Sequence, residues 1–130
     1  MPTVLVADDD IHRPEAWTEW FELHKMPCRI APTWDEALKL LAQYRPDCLL
    51  LEVHWSDEEG RLVERFDFVR ESKERFPDTK IFTMCGCCPA SEEESHRAKS
   101  KELGAEDFFP TKGPEMIEKV IEALKIHPAP

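Results

Sequence analysis

The chain has 130 residues, 27 of them acidic against 17 basic, for a formal net charge of -10. That length suits one domain with a core able to stand without disulfide or metal staples, and the acidic balance argues against unaided binding to nucleic acid or anionic lipid. No stretch has the apolar length of a bilayer span, no basic region leads into a long apolar segment at the N-terminus, and five cysteines, with Cys48 inside an apolar run, suit reduced thiols in a cytoplasmic protein.

Taken in chain order, short apolar runs alternate with amphipathic segments. "TVLVA" (Thr3 to Ala7) reads as a buried strand stopped by Asp8, Asp9 and Asp10. Pro14 suits the first turn of a helix in which Trp17, Trp20 or Phe21, and His24 recur at helical spacing. "CRIA" is a weak second strand, and Thr33 with Glu36 forms a capping box opening a helix through Tyr44 that breaks at Pro46. "CLLLEV" is the third strand, "SDEEG" a polar loop, and a helix then runs to Phe76 before Pro77. "KIFTMC" is the fourth strand, followed by a helix capped by Ser91 and Glu94 and ending before Gly104. That helix has only Ala98 and Leu103 as clear apolar anchors, so a shallow, mobile contact with the sheet is expected. "EDFF" is the fifth strand, and Pro114 opens a last helix with the stripe Ile117, Val120, Ile121, Leu124.

This alternation argues for a parallel sheet covered on both faces, with its site beyond the carboxyl ends of the strands. The residues there are Asp8 and Asp9, Glu52 and His54, Cys85 to Cys88, and Thr111 and Lys112. The carboxylates repel one another unless a divalent cation or Lys112 compensates them. Thiolates beside the His54 imidazole suit zinc, another soft metal or redox sensing. Read as lacking a Cys-x-x-Cys knuckle, "CGCC" is more simply local packing, with Cys28 and Cys48 as small core residues. Trp17, Trp20 and Phe21 are read as packing, Trp34 and Trp55 are harder to bury by pattern, with a partner contact as the lesser alternative for Trp55 beside the site, and His24, His96 and His127 are given no role.

"VLVADDD", "PDCLLLE", "FPDTKIF" and "GAEDFF" fall in the order and places of the receiver domain of bacterial response regulators, which the chain resembles over nearly all its length. The resemblance implies a flavodoxin-like, doubly wound five-stranded parallel sheet of order 2-1-3-4-5 with five helices, one domain over 1–126 and a frayed tail over 127–130. It puts Glu52 at the phosphoacceptor position, normally aspartate, and Cys85 where a Thr or Ser hydroxyl answers the phosphoryl group. Thr111 stands where the lysine would align, with Lys112 displaced by one, and Phe108 stands at the switch aromatic position. A Mg²⁺ site would draw on Asp8, Asp9, Glu52 and the backbone carbonyl of His54.

The departures have chemical weight. Phosphoryl transfer depends on positioning. An added methylene displaces the acceptor by roughly 1.5 Å, and a thiol is a weak hydrogen-bond donor. The expectation is an atypical, stand-alone receiver, not an enzyme, that works in signal transduction by binding protein independently of phosphorylation through its fourth helix, fifth strand and fifth helix. Its partner would be a sensor kinase or a downstream signalling protein, with no nucleic acid or membrane involved, and the chain a monomer or weak dimer. The alternatives are a conventional phosphoacceptor in a two-component phosphorelay and a metal or thiol sensor built on Cys85, Cys87, Cys88 and His54.

Overall fold

The computed structural model describes residues 2–10, 12–86 and 88–126, so Cys87 and the expected tail at 127–130 lie outside the described residues. Five strands, β1 (Val4–Ala7), β2 (Cys28–Ala31), β3 (Cys48–Glu52), β6 (Lys80–Met84) and β7 (Asp107–Phe109), form one parallel sheet in the order β2-β1-β3-β6-β7. A two-stranded antiparallel hairpin, β4 (His54–Ser56) with β5 (Leu62–Glu64), follows β3 directly. With the hairpin set aside, the order is the expected 2-1-3-4-5. Among the described residues there are five α-helices: α1 (His12–Leu23), α2 (Trp34–Tyr44), α3 (Asp67–Arg75), α4 (Glu93–Glu102) and α5 (Pro114–Ile126).

The period of two along the strands divides the core between the faces of the sheet. Val4, Val6, Cys48, Leu50, Phe82, Met84 and Phe109 pack with Trp17 and Phe21 of α1 and with Ile117, Val120, Ile121 and Leu124 of α5. Leu5, Ala7, Leu49, Leu51 and Ile81 meet Ala37 and Leu41 of α2 and Phe68 and Val69 of α3 on the other face. β1 and β3 run in register from Val4 opposite Cys48 to Ala7 opposite Leu51, and β3 and β6 continue to Glu52 opposite Met84. That register brings Asp8, Glu52 and Cys85 to one edge.

Local chemistry sets the helix ends. The Thr33 side chain accepts the Glu36 N–H at 3.2 Å, as its place before α2 predicts, and Gly104 closes α4 at φ +112°. The Ser91 cap does not form. A 3-10 turn over Ala90–Glu92 leads into α4, and Glu92 stands at its N-cap position without a side-chain bond.

Three further expectations are corrected. The "SDEEG" segment is the turn of the hairpin, where Asp57 Oδ1 accepts the N–H of Glu59 at 2.9 Å and of Arg61 at 2.8 Å, and Gly60 takes φ +79°. Trp55 is buried rather than offered to a partner: it packs edge-on against Phe68, while Trp34 stacks on the same ring at 4.1 Å. The α4 helix is anchored by polar groups. Ala98 is exposed, whereas His96 and Ser100 are buried and Ser100 Oγ accepts from Thr83 Oγ1 at 2.7 Å. Arg97 adds a tie to β7, donating to Asp107 Oδ1 at 3.0 Å and to the Phe108 carbonyl at 3.1 Å.

Leu50 is fully buried on the central strand, and Leu62 is 58% exposed on the hairpin. Leu50→Ala is expected to cost about 2–5 kcal/mol and Leu62→Ala about 0.5 kcal/mol or less, read by urea unfolding of both variants. Equal losses would contradict this placement of the core.

Candidate functional site

The acidic run that ends β1 splits in the fold. Asp8 is fully buried, whereas Asp9 is exposed and turns to the hairpin, where its Oδ2 accepts the Ser56 N–H at 2.8 Å. Glu52, the last residue of β3, is also buried, and Lys112 arrives from the loop after β7 with its side chain only 8% exposed. The ammonium of Lys112 contacts both carboxylates, donating to Asp8 Oδ2 at 2.7 Å and pairing with Glu52 Oε2. Thr111, aligned with lysine by the resemblance, is exposed. The one-residue displacement therefore leaves Lys112 able to reach the site.

All four carboxylate oxygens of this pair accept a bond. Asp8 Oδ1 takes the Asp10 N–H at 3.0 Å and Glu52 Oε1 the His54 N–H at 3.0 Å, while the two remaining oxygens face Lys112. Burial is the largest influence on both carboxyls and raises their pKa values, with Lys112 and these N–H donors pulling the other way. Burial alone would depress the Lys112 ammonium, but its two carboxylate partners outweigh that and hold its pKa above the ordinary lysine value. Mg²⁺ takes oxygens in near-octahedral geometry at about 2.0–2.1 Å. With the ammonium between Asp8 and Glu52 and Asp9 turned away onto Ser56, the residues as arranged do not fit that ion.

Beside the ion triad lies a sulfur and imidazole cluster. Cys85 and Cys88 are joined by a disulfide, so the expectation of free thiols does not hold for this pair. The reading of "CGCC" as lacking a Cys-x-x-Cys spacing is likewise corrected, since just two residues separate Cys85 from Cys88. His54 Nδ1 lies 3.2 Å from Cys85 Sγ and 3.5 Å from Cys88 Sγ. Burial lowers the His54 pKa, which favours neutral imidazole. Cys28 and Cys48 are free and packed in or against the core, and burial pushes the Cys28 thiol up to about 12.

His96 is the residue that sequence reasoning missed. It is only 6% exposed, and its ring lies 5.6 Å from that of His54 and 5.5 Å from that of Phe108. The signal available was its spacing, four residues before Ser100, on the inward face of α4. Phe108 is fully buried with Val53, Phe66 and Cys85.

No family model matches the sequence, and no curated protein does. Solved structures of response regulators do match in fold. A response regulator from Thermotoga maritima superposes with a TM-score of 0.77 at 23% identity, covering 96% of this chain and 98% of its own. A response regulator receiver protein from Pseudomonas putida gives 0.75 at 20% identity, covering 96% of each chain. A response regulator protein from Burkholderia pseudomallei, solved with a phosphorylated aspartic acid, a calcium ion and citrate, gives 0.78 at 18% identity over 98% of this chain and 68% of that one. The fold is that of response regulator receiver domains.

Removing the ammonium tests the triad. Lys112→Met leaves two buried carboxylates without their cation and is expected to cost about 3–5 kcal/mol at neutral pH. Because burial raises both carboxyl pKa values, the folded chain binds protons more readily than the unfolded chain, so stability associated with these groups rises as pH falls through their folded values. Without Lys112 that recovery should steepen between neutral pH and the ordinary carboxylate range, measured by denaturant unfolding at a series of pH values. A variant as stable as wild type at pH 7, with the same pH slope, would show that the triad does not matter to folding.

Proposed function

We propose that this chain is an atypical receiver acting in signal transduction as a protein-interaction module, with Glu52 in the phosphoacceptor position and an output independent of phosphorylation. The observation that carries the reading is the Lys112 ammonium held between Asp8 and Glu52. A carboxylate attacks phosphorus through a free, correctly placed oxygen. Both oxygens of Glu52 are committed, one to Lys112 and one to the His54 N–H. The position aligned with the hydroxyl that would answer a phosphoryl group is Cys85, whose sulfur is in a disulfide.

On this reading the chain is a binding module and not an enzyme, and its partner is a protein, either a sensor kinase or a downstream signalling protein. The net charge of -10 supports that choice over nucleic acid or anionic membrane. Among the described residues no helix is long and apolar enough to cross a membrane. A cytoplasmic location and a monomer or weak dimer belong to the same proposal. The binding face is α4, β7 and α5, where Arg97 couples the helix to the strand and Glu115, Glu118, Lys119, Glu122 and Lys125 of α5 are exposed. Mg²⁺ would act here as a competitor of Lys112, so it should raise the melting temperature of Lys112→Met more than that of wild type.

Incubation with a small phosphodonor and Mg²⁺, followed by intact mass measurement, is the direct test. Wild type and Glu52→Asp are expected to gain no phosphoryl mass, and Glu52→Asp combined with Cys85→Thr to gain some, because these groups act as a unit. Stoichiometric labelling of wild type would overturn the reading in favour of a conventional phosphoacceptor.

A further inference from the structure

His54, Cys85, Cys88 and His96 come from three separate parts of the chain: the hairpin, the loop between β6 and α4, and α4 itself. One ligand atom each of His54, Cys88 and His96 lie within 4.8 Å of one another, as do one each of Glu52, His54 and Cys85, so the two groups share His54. A tetrahedral zinc site with nitrogen at about 2.0–2.1 Å and sulfur at about 2.3 Å has nitrogen–sulfur edges of about 3.5 Å. The separations of His54 Nδ1 from the two sulfurs, 3.2 and 3.5 Å, are near that edge.

A second observation points independently to a ligand. His96 Nε2 is buried without a hydrogen-bond partner among the described residues. Its nearest carboxylate oxygens are Glu64 Oε1 at 3.6 Å and Glu92 Oε2 at 3.9 Å, beyond hydrogen-bond reach. An orphaned buried nitrogen costs free energy unless something binds it.

We propose that Cys85, Cys88, His54 and His96 form a site for one soft divalent metal ion of the zinc type, available in the dithiol state and closed by the Cys85–Cys88 disulfide. To open it, a dithiol reductant breaks the sulfur–sulfur bond. Two electrons and two protons pass to Cys85 and Cys88, and the reductant leaves as its own disulfide. Binding then releases the two thiol protons to solvent as thiolates and neutral imidazoles take the metal. The site adjoins the Asp8, Glu52 and Lys112 triad, since a Glu52 carboxylate oxygen lies within 4.8 Å of ligand atoms of His54 and Cys85, but it does not rest on the signalling reading.

The test uses the whole chain, reduced with a phosphine, freed of reductant and metal under nitrogen, and titrated with Co²⁺ and then Zn²⁺. One equivalent of Co²⁺ should give the visible bands of a tetrahedral ion with thiolate charge transfer, and Zn²⁺ should abolish them. The oxidised protein, its disulfide verified by mass, should give none. His96→Gln and Cys88→Ser should each weaken Co²⁺ binding by about tenfold or more, and Cys28→Ser should leave it unchanged. If His96→Gln does not fold by circular dichroism, His54→Gln serves the same comparison. Absence of the bands in reduced wild type, equal spectra in both redox states, or full affinity in a folded histidine variant would overturn the proposal. So would loss of binding in Cys87→Ser with retention in Cys88→Ser.

Discussion

An ammonium group shared by two buried carboxylates governs the edge of this sheet. Lys112 is delivered by the loop after β7, Asp8 by the end of β1 and Glu52 by the end of β3, so three separate lengths of chain meet through one charge. The pairing succeeds because both carboxylates are also bound by backbone N–H groups, which leaves no oxygen of either without an acceptor role. Losing the ammonium would leave two charges buried without compensation, a far larger cost than losing a surface ion pair. The parallel sheet therefore has a polar lock at its carboxyl edge and apolar layers behind it.

The hairpin β4–β5 makes this edge differ from a bare strand mouth. It begins two residues after Glu52, ties Asp9 to Ser56, and sets His54 against the Cys85–Cys88 disulfide. The Arg65 N–H returns to the Val53 carbonyl at 2.7 Å, which closes the excursion before α3 starts. Two chemically distinct clusters consequently lie side by side, one of fixed charge and one of sulfur and imidazole. The backbone of residues 52–54 joins them, since the Glu52 side chain accepts the His54 N–H.

Much of the fold was legible because its signals are local. Continuous apolar runs, a Thr33 cap, Gly104 and the breaks at Pro46 and Pro77 mark strands and helix ends with few competing readings. The convergence of Asp8, Glu52 and Lys112 was also legible, since strand ends in a parallel sheet share an edge. The hairpin was harder: three-residue strands around Asp57 and Gly60 look like a polar loop until their pairing is known. The divergence of Asp9 from Asp8 depends on that same hairpin. His96 could not be found from its neighbours in sequence, because its surroundings, Phe66, Phe108 and His54, are assembled only by tertiary packing. The polar anchoring of α4 by Arg97 and Ser100 was hidden for the same reason.

Trp55 gives the site an optical character of its own. Its indole Nε1–H donates to the Glu52 carbonyl at 2.6 Å, and the ring is 7% exposed. The other tryptophans differ in setting: Trp17 is buried against the opposite face of the sheet, Trp20 is 37% exposed, and Trp34 is stacked on Phe68. A rearrangement of the peptide that carries Glu52 must disturb the hydrogen bond to this one chromophore. The chain thus contains an intrinsic fluorophore wired to its charged centre, whose emission follows that peptide without an added label.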